Sequence, residues 1–382
     1  MRHRYDVAIY APSAYTWYSS EWTRVRGGRE RQTTLIAQGL ASEGLRVAHI
    51  VYSLPGPRAL PLPAPEVIER GEWRPETGPL AAIPEIVAIW RALLKADARV
   101  YIFRGGGVPV SVGAAFCKVF RRKLLFSGAN DLDFDFERPD RRRLVLFLSR
   151  HGLRRADAIV AQTQQQLELA RGVLPRNGAT VVIPSFADLG ETAATTATPA
   201  PEAFLWADRL VAYKSPHRYV ELAEAVPQAR FWMVGMSSTE TPPGMVDEMR
   251  QAADRLPNLE FFGRPQPREQ LLAMMRRSAA LVTTSQAEGM PNTFLEAWAL
   301  KVPVLSYRFD PDGTIAARGL GLVSGGSPER FAEAAQRLWS DADFRVAAGE
   351  RARAYLEQAH APDAVLRQWM SIVEATLEDS VR

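Results

Sequence analysis

A single cysteine, Cys117, stands in 382 residues, so no internal disulfide framework supports this chain, which suits a reducing compartment. No apolar run approaches the roughly 18 residues needed to cross a bilayer. The opening MRHRYDVAIYAPS carries too short an apolar stretch for a secretory signal and reads as a first buried strand. These absences predict a cytoplasmic protein. No zinc-ligand spacing, RNA-binding signature or basic zipper occurs, which leaves nucleic acid the least favoured partner. No Gly-x-Gly-x-x-Gly turn follows a strand, so a dinucleotide fold is not indicated.

What is present is ordinary in bulk: 47% apolar and 24% charged residues, as in a soluble globular protein. The length fits two domains of under about 200 residues. Charge is uneven. Residues 1–190 hold 27 Lys and Arg against 18 Asp and Glu, whereas residues 191–382 hold 20 against 25. A basic half fits a phosphorylated substrate or an anionic membrane surface.

Short β-rich apolar runs at 5–11, 46–52, 99–103, 123–127, 158–162 and 180–184 alternate with helical stretches near 29–44, 82–95, 108–121, 139–154 and 163–173. After a Ser/Thr/Ala/Pro/Gly segment the pattern restarts, with strands at 203–209, 229–235, 259–263, 279–284, 302–307 and 319–323. Helices are expected near 214–225, 243–255, 266–277, 292–300, 327–340 and 344–356. Alternating strand and helix predicts two doubly wound parallel α/β domains in tandem. The expected division is 1–185, a linker at 186–203, 204–360, and a C-terminal helix in 361–382 crossing back toward the first domain. Ligands of such sheets bind at the carboxyl ends of the strands.

Ser285 to Leu300 reads SQAEGMPNTFLEAWAL. Glu288 lies in a broken loop, and Glu296 lies in a helix opening near Pro291 to Thr293. Such a terminus offers N–H groups to an anion. Eight-residue glutamate spacing alone means little, because Glu240 and Glu248 share it without this context.

The chain resembles the GT-B glycosyltransferases, specifically the retaining glycosyltransferase family 4. The resemblance rests on RGGRERQTTLIAQGLASEGLRVAHIV (26–51), FLWADRLVAYKSPHRYVELA (204–223) and SQAEGMPNTFLEAWALKVPVLS (285–306), in that order along nearly the whole chain. It implies two Rossmann-like domains facing a cleft, the first holding an acceptor and the second a UDP or GDP sugar. It implies no cofactor beyond that donor and no metal. The implied acceptor is a glycan or lipid-linked molecule in polysaccharide or glycoconjugate synthesis. A sugar-nucleotide epimerase, a phosphorylase-like enzyme or a catalytically silent binding protein are the alternatives on the same architecture.

By the same resemblance, Arg209 and Lys214 would meet the diphosphate, a bidentate fork and a compact second charge. Gly27 and Gly28 would let backbone approach phosphate or sugar, although an ordinary turn explains them equally. Glu296 would accept both ribose hydroxyls, Glu288 would lie nearer the transferred sugar, and the amides of Met290, Pro291, Asn292 and Thr293 mark the loop that holds sugar or phosphates. Proline itself contributes no N–H there. Where many relatives carry a histidine, this chain has Asn130 and Asp131; either could orient sugar or acceptor, and loop capping is the alternative. The overlapping Asp-x-Asp pairs Asp131/Asp133 and Asp133/Asp135 resemble a metal motif of the other main glycosyltransferase fold, which this context does not call for. Tyr15, Trp17, Tyr18 and Trp22 would stack on a sugar, line a lipid groove or simply pack on their own domain. Arg141, Arg142, Arg143, Arg150, Arg154 and Arg155, interleaved with leucines and Phe147, suit either a solvated helix or peripheral contact with the anionic inner membrane.

Overall fold

The structure, a computed structural model, describes residues 3–18, 27–53, 65–72, 82–138, 141–173, 179–187, 200–264 and 266–380. It contains two compact units, Met1–Phe186 with Asp363–Arg382, and Ala187–Pro362.

Unit 1 is built on seven parallel strands, β1 (Tyr5–Tyr10), β2 (Val47–Val51), β3 (Glu66–Glu69), β4 (Ala98–Arg104), β5 (Lys123–Ser127), β6 (Ala158–Ala161) and β7 (Ala179–Val182), in the order β3-β2-β1-β4-β5-β6-β7. The helices are α1 (Gly28–Ser42), α2 (Ala82–Ala96), α3 (Val108–Phe120), α4 (Arg143–Leu153) and α5 (Gln164–Arg171). A parallel sheet is covered on both faces, which is why its strands read as continuous apolar runs. Within β1 the pleat sends Ala8 and Tyr10 into one core and Val7 and Ile9 into the other, while Tyr5, at the strand's start, departs from the alternation and packs with the first.

Unit 2 holds β8 (Ala203–Arg209), β9 (Phe231–Met236), β10 (Leu259–Phe262), β11 (Ser278–Thr283), β12 (Val304–Ser306) and β13 (Gly321–Val323) in the order β10-β9-β8-β11-β12-β13. Around them run α6 (His217–Ala225), α7 (Met245–Arg255), α8 (Arg268–Arg276), α9 (Asn292–Ala299), α10 (Thr314–Arg318), α11 (Pro328–Ser340) and α12 (Ala342–Ala359). Phe204 and Trp206 of β8 face one core, Leu205 and Ala207 the other. Side-chain caps start two of these helices: Ser327 accepts from the Arg330 N–H and Asp341 from the Phe344 N–H.

The last helix, α13 (Pro362–Asp379), belongs to unit 1. Val365, Trp369, Val373 and Leu377 are buried in the core that contains Val7, Ile36 and Leu40. A Cβ on Gly39 of α1 would fall 2.7 Å from Leu366 Cδ1, so the absent side chain lets the two helices approach closely.

The elements differ from the sequence reading in detail. β3 and α10 were not anticipated: β3 is four residues with one buried position, and α10 is five residues, both too short for periodicity to register. The helix expected from 214 begins at His217, because Ala212–Lys214 forms a separate 3-10 turn closed by Ser215 in the left-handed region at φ 47°. Of the expected linker, residues 188–199 lie outside the described residues.

Candidate active site

In each sheet the chain leaves one central pair of strands in opposite directions, which is where doubly wound sheets bind ligands. In unit 2 that switch point lies between β8 and β11. Arg209 ends β8, Lys214 follows in the 3-10 turn, and Glu288 follows β11. The two loops are tied together: Thr284 Oγ1 accepts from Trp206 Nε1 at 3.0 Å and donates to the Lys214 carbonyl at 2.6 Å, while the Gln286 N–H donates to the Tyr213 carbonyl at 2.8 Å.

These ties bring Lys214 and Glu288, 74 residues apart, into a buried ion pair. Lys214 Nζ also lies 2.6 Å from Asp208 Oδ2. Burial alone would weaken the ammonium, but Asp208 and Glu288 outweigh it and hold Lys214 charged, above its ordinary pKa. The pKa of Glu288 is raised as well, which for a carboxylate disfavours the charged form. Burial pushes its pKa up and Asp208 adds to this, against the attraction of Lys214 and a hydrogen bond from Ser285. One cation thus serves two carboxylates, and the more deeply buried one holds its proton more tightly than usual.

Arg209 donates from Nη1 to Glu240 Oε2 at 3.0 Å and from Nη2 to Tyr213 Oη at 2.6 Å. Burial opposes its charge, while Tyr213, Asp208 and Glu240 more than restore it. Glu296, in the second turn of α9, accepts from Arg268 Nη1 at 2.7 Å. Pro291 is the N-cap of α9 and supplies no capping side chain. Met290 is buried, and Pro291, Asn292 and Thr293 are half-buried around that terminus.

In unit 1, Gly27 is the N-cap of α1 and Gly28 its first residue. A Cβ on Gly27 would sit 2.1 Å from Glu30 Oε2, so the glycine makes room for that carboxylate. Asn130 caps the turn after β5, its side chain accepting from the Leu132 N–H at 2.9 Å. Asp131 is buried and accepts from Gln165 Nε2 at 3.2 Å. Asp133 accepts from the N–H groups of Gly106, Ala129 and Asn130, and Asp135 from that of Glu137. The aspartates of the Asp-x-Asp pairs therefore serve the backbone or a glutamine. Among the described residues, no cluster of three or more His, Cys, Asp or Glu side chains is placed to hold a metal ion.

The described start of the first loop, residues 13–18, packs on its own unit. Tyr18 is fully buried with its hydroxyl 2.6 Å from His49 Nδ1, Tyr15 meets Tyr52 edge-on, and Arg31 lies over Trp17. Trp22 lies outside the described residues. On α4, Leu144 and Phe147 are 67% and 65% exposed.

The family profile for glycosyl transferases group 1 matches residues 193–355, and that for the glycosyl transferase 4-like domain matches residues 27–185. The chain is a glycosyltransferase. Its GT-B fold is seen in HepE of Anabaena, whose complex with UDP-glucose superposes with a TM-score of 0.75 at 17% identity over 97% of this chain and 100% of that one. Sucrose-phosphate synthase of Thermosynechococcus elongatus gives 0.73 at 16% identity over 98% and 100%. Glycosyltransferase 1 domain-containing protein 1 of Xenopus tropicalis is 32% identical over 95 residues, 25% of this chain and 27% of that protein. The match thus spans about a quarter of that curated relative.

Three partners in the glycosyltransferase escaped the sequence reading. Asp208 is a strand-end residue directly before Arg209, which could have been found by asking what balances a buried Lys214. Glu240 was set aside on spacing, yet its loop follows β9, the strand beside β8. Arg268 opens α8 and carries no local signal of its contact with Glu296, which is 28 residues away.

Proposed function

We propose that this glycosyltransferase moves a sugar, with retention of anomeric configuration, from a UDP or GDP sugar bound on unit 2 to a glycan or lipid-linked acceptor bound on unit 1. The observation that carries the reading is the Asp208–Lys214–Glu288 cluster at the switch point of the second sheet. Departure of a nucleoside diphosphate concentrates negative charge on the leaving oxygens while the sugar ring becomes cationic, and fixed charges aimed at those centres are the largest usual source of acceleration. Lys214 and Arg209 supply the positive charges for the diphosphate. Glu288 balances the ring or accepts from its hydroxyls. Glu296, preset by Arg268, accepts from the ribose diol. Asn130 and Asp131 orient the reacting sugar or acceptor from unit 1. The UDP form of the donor is supported by the UDP-glucose bound in HepE.

We extend the proposal to peripheral contact with an anionic membrane surface through α4, placing the enzyme in the cytoplasm at the inner membrane. Leu144 and Phe147 stand exposed one helical turn apart, with Arg143 and Arg150 on the same helix. α3, which packs on α4, exposes Val119 and Phe120 between Lys118 and Arg121. No helix among the described residues is long and apolar enough to cross a membrane.

A thermal-shift series with UDP, GDP, ADP and their sugars tests the donor assignment. The wild type is expected to be stabilised by one nucleotide in preference to the others, and Glu296→Ala to lose about 1–3 kcal/mol of that nucleotide's binding. A wild type indifferent to all three nucleotides would refute it.

A further inference from the structure

Unit 1 has its own switch point, between β1 and β4, and a cation stands there with little to balance it. Arg104 is the last residue of β4. Its register partner on β5 is Ser127, and Arg104 Nη1 donates to Ser127 Oγ at 2.8 Å. Its Nε is buried with no hydrogen-bond partner among the described residues. A neutral hydroxyl does not offset the desolvation of a guanidinium, which ordinarily demands a paired and hydrogen-bonded anion.

The neighbouring anions are engaged elsewhere. Both oxygens of Asp133 accept backbone N–H groups, and Glu30 Oε1 accepts from Arg29 Nε and Nη2. Arg29, itself paired with Glu30 at 3.0 Å, brings a second guanidinium beside it. Gly105 holds φ +86°, and a Cβ there would come 3.1 Å from Arg29 Nη1, so the Arg29 side chain lies over the backbone next to Arg104. Burial and the nearby Arg29 pull the Arg104 pKa down to about 10, against attraction from Asp133 and Glu30, so the group is still charged at neutral pH.

We propose that Arg104 and Arg29 form an anion subsite in unit 1 that takes a phosphate or carboxylate carried by the sugar acceptor. Structural anchoring of Ser127 alone would need a hydroxyl or amide donor, not a half-buried fork of five N–H groups with its Nε fully enclosed. The fork matches the paired oxygens of either anion. The location at the carboxyl ends of the central strands is where a ligand of this sheet binds. The inference rests on unit 1 being the acceptor-binding unit.

Calorimetric titration with a hexose 6-phosphate, a hexuronate and the uncharged hexose, each in saturating UDP, tests it. One of the two anionic sugars is expected to bind about tenfold or more tightly than the hexose, and which one does so identifies the anion as phosphate or carboxylate. Arg104→Gln is expected to abolish that preference while UDP affinity holds. Arg29→Gln, at a side chain 51% exposed, is a second variant that does not threaten folding and should cut the preference severalfold. Equal binding of all three sugars by wild type, or an undiminished preference in both variants, overturns the subsite. Loss of UDP affinity in Arg104→Gln with the anion preference intact overturns it too, by assigning the guanidinium to the donor. A wild type that shows the anion preference but no affinity for UDP or GDP would sustain the subsite and reject the donor reading of unit 2.

Discussion

Glu288 is held in a state that folding alone would not choose. Burial raises its pKa, so relative to an unfolded chain it is protonated more readily in the native state. Stability from such a group is fully present below the ordinary carboxylate pKa and is lost as pH rises through the raised one. Glu288→Gln mimics the protonated form. Its melting temperature is expected to exceed that of wild type at pH 7, the difference shrinking as pH falls below the ordinary carboxylate range. Sugar transfer should drop about 10²-fold or more, the loss typical of a group that stabilises transition-state charge. Melting curves at pH 7 and pH 4 decide: a variant less stable than wild type at pH 7 would show that the pair with Lys214 outweighs the cost of burial. At this scale the sequence displays candidates and conceals partners. Lys214 and Glu288 stand out as residue types in suitable loops. Their ion pair depends on Thr284 and Gln286 drawing two loops together, and no spacing rule reports that.

Elements were legible in proportion to their length and burial. The fully buried strands β2, β6 and β11 read directly as apolar runs, whereas β3, lying at the sheet edge with one buried residue, did not. α4 shows what patterning leaves undecided, because an arginine-rich amphipathic helix reads the same whether its leucines face a core or solvent. The fold decides part of this. Gly152 lies against the α3 backbone, where a Cβ would approach Ser111 N to 2.8 Å, and Ser149 is buried. That contact turns Leu144 and Phe147 outward. Replacing both by serine is expected to leave the melting temperature within about 2 °C of wild type, since exposed substitutions seldom exceed about 0.5 kcal/mol. It should weaken flotation with phosphatidylglycerol vesicles about tenfold, with little wild-type binding to phosphatidylcholine vesicles. Unchanged flotation would remove α4 from any membrane role.

For the whole molecule, chain length and tandem α/β patterning were enough to read two doubly wound domains, because each sheet repeats one local grammar of buried strand and covering helix. The discontinuous composition of unit 1 has its own energetic signature. Trp369 of α13 is 2% exposed, and Trp369→Ala is expected to cost unit 1 about 3–5 kcal/mol. Differential scanning calorimetry should then show an earlier transition for unit 1, with the transition of unit 2 unmoved. A parallel fall in both would mean that the units do not melt independently. The same helix also sets a timetable. Domains generally fold as they leave the ribosome, at about 5–20 residues per second. Residues 187–362 can complete a sheet and both its faces as soon as they emerge, but the first 186 residues must wait for 363–382 before the cover that α1 begins on one face of their sheet is complete. During that interval of roughly ten to forty seconds the nascent chain exposes the apolar surface around Ile36 and Leu40, and it is there that a chaperone would bind, and there that a translational pause would favour aggregation.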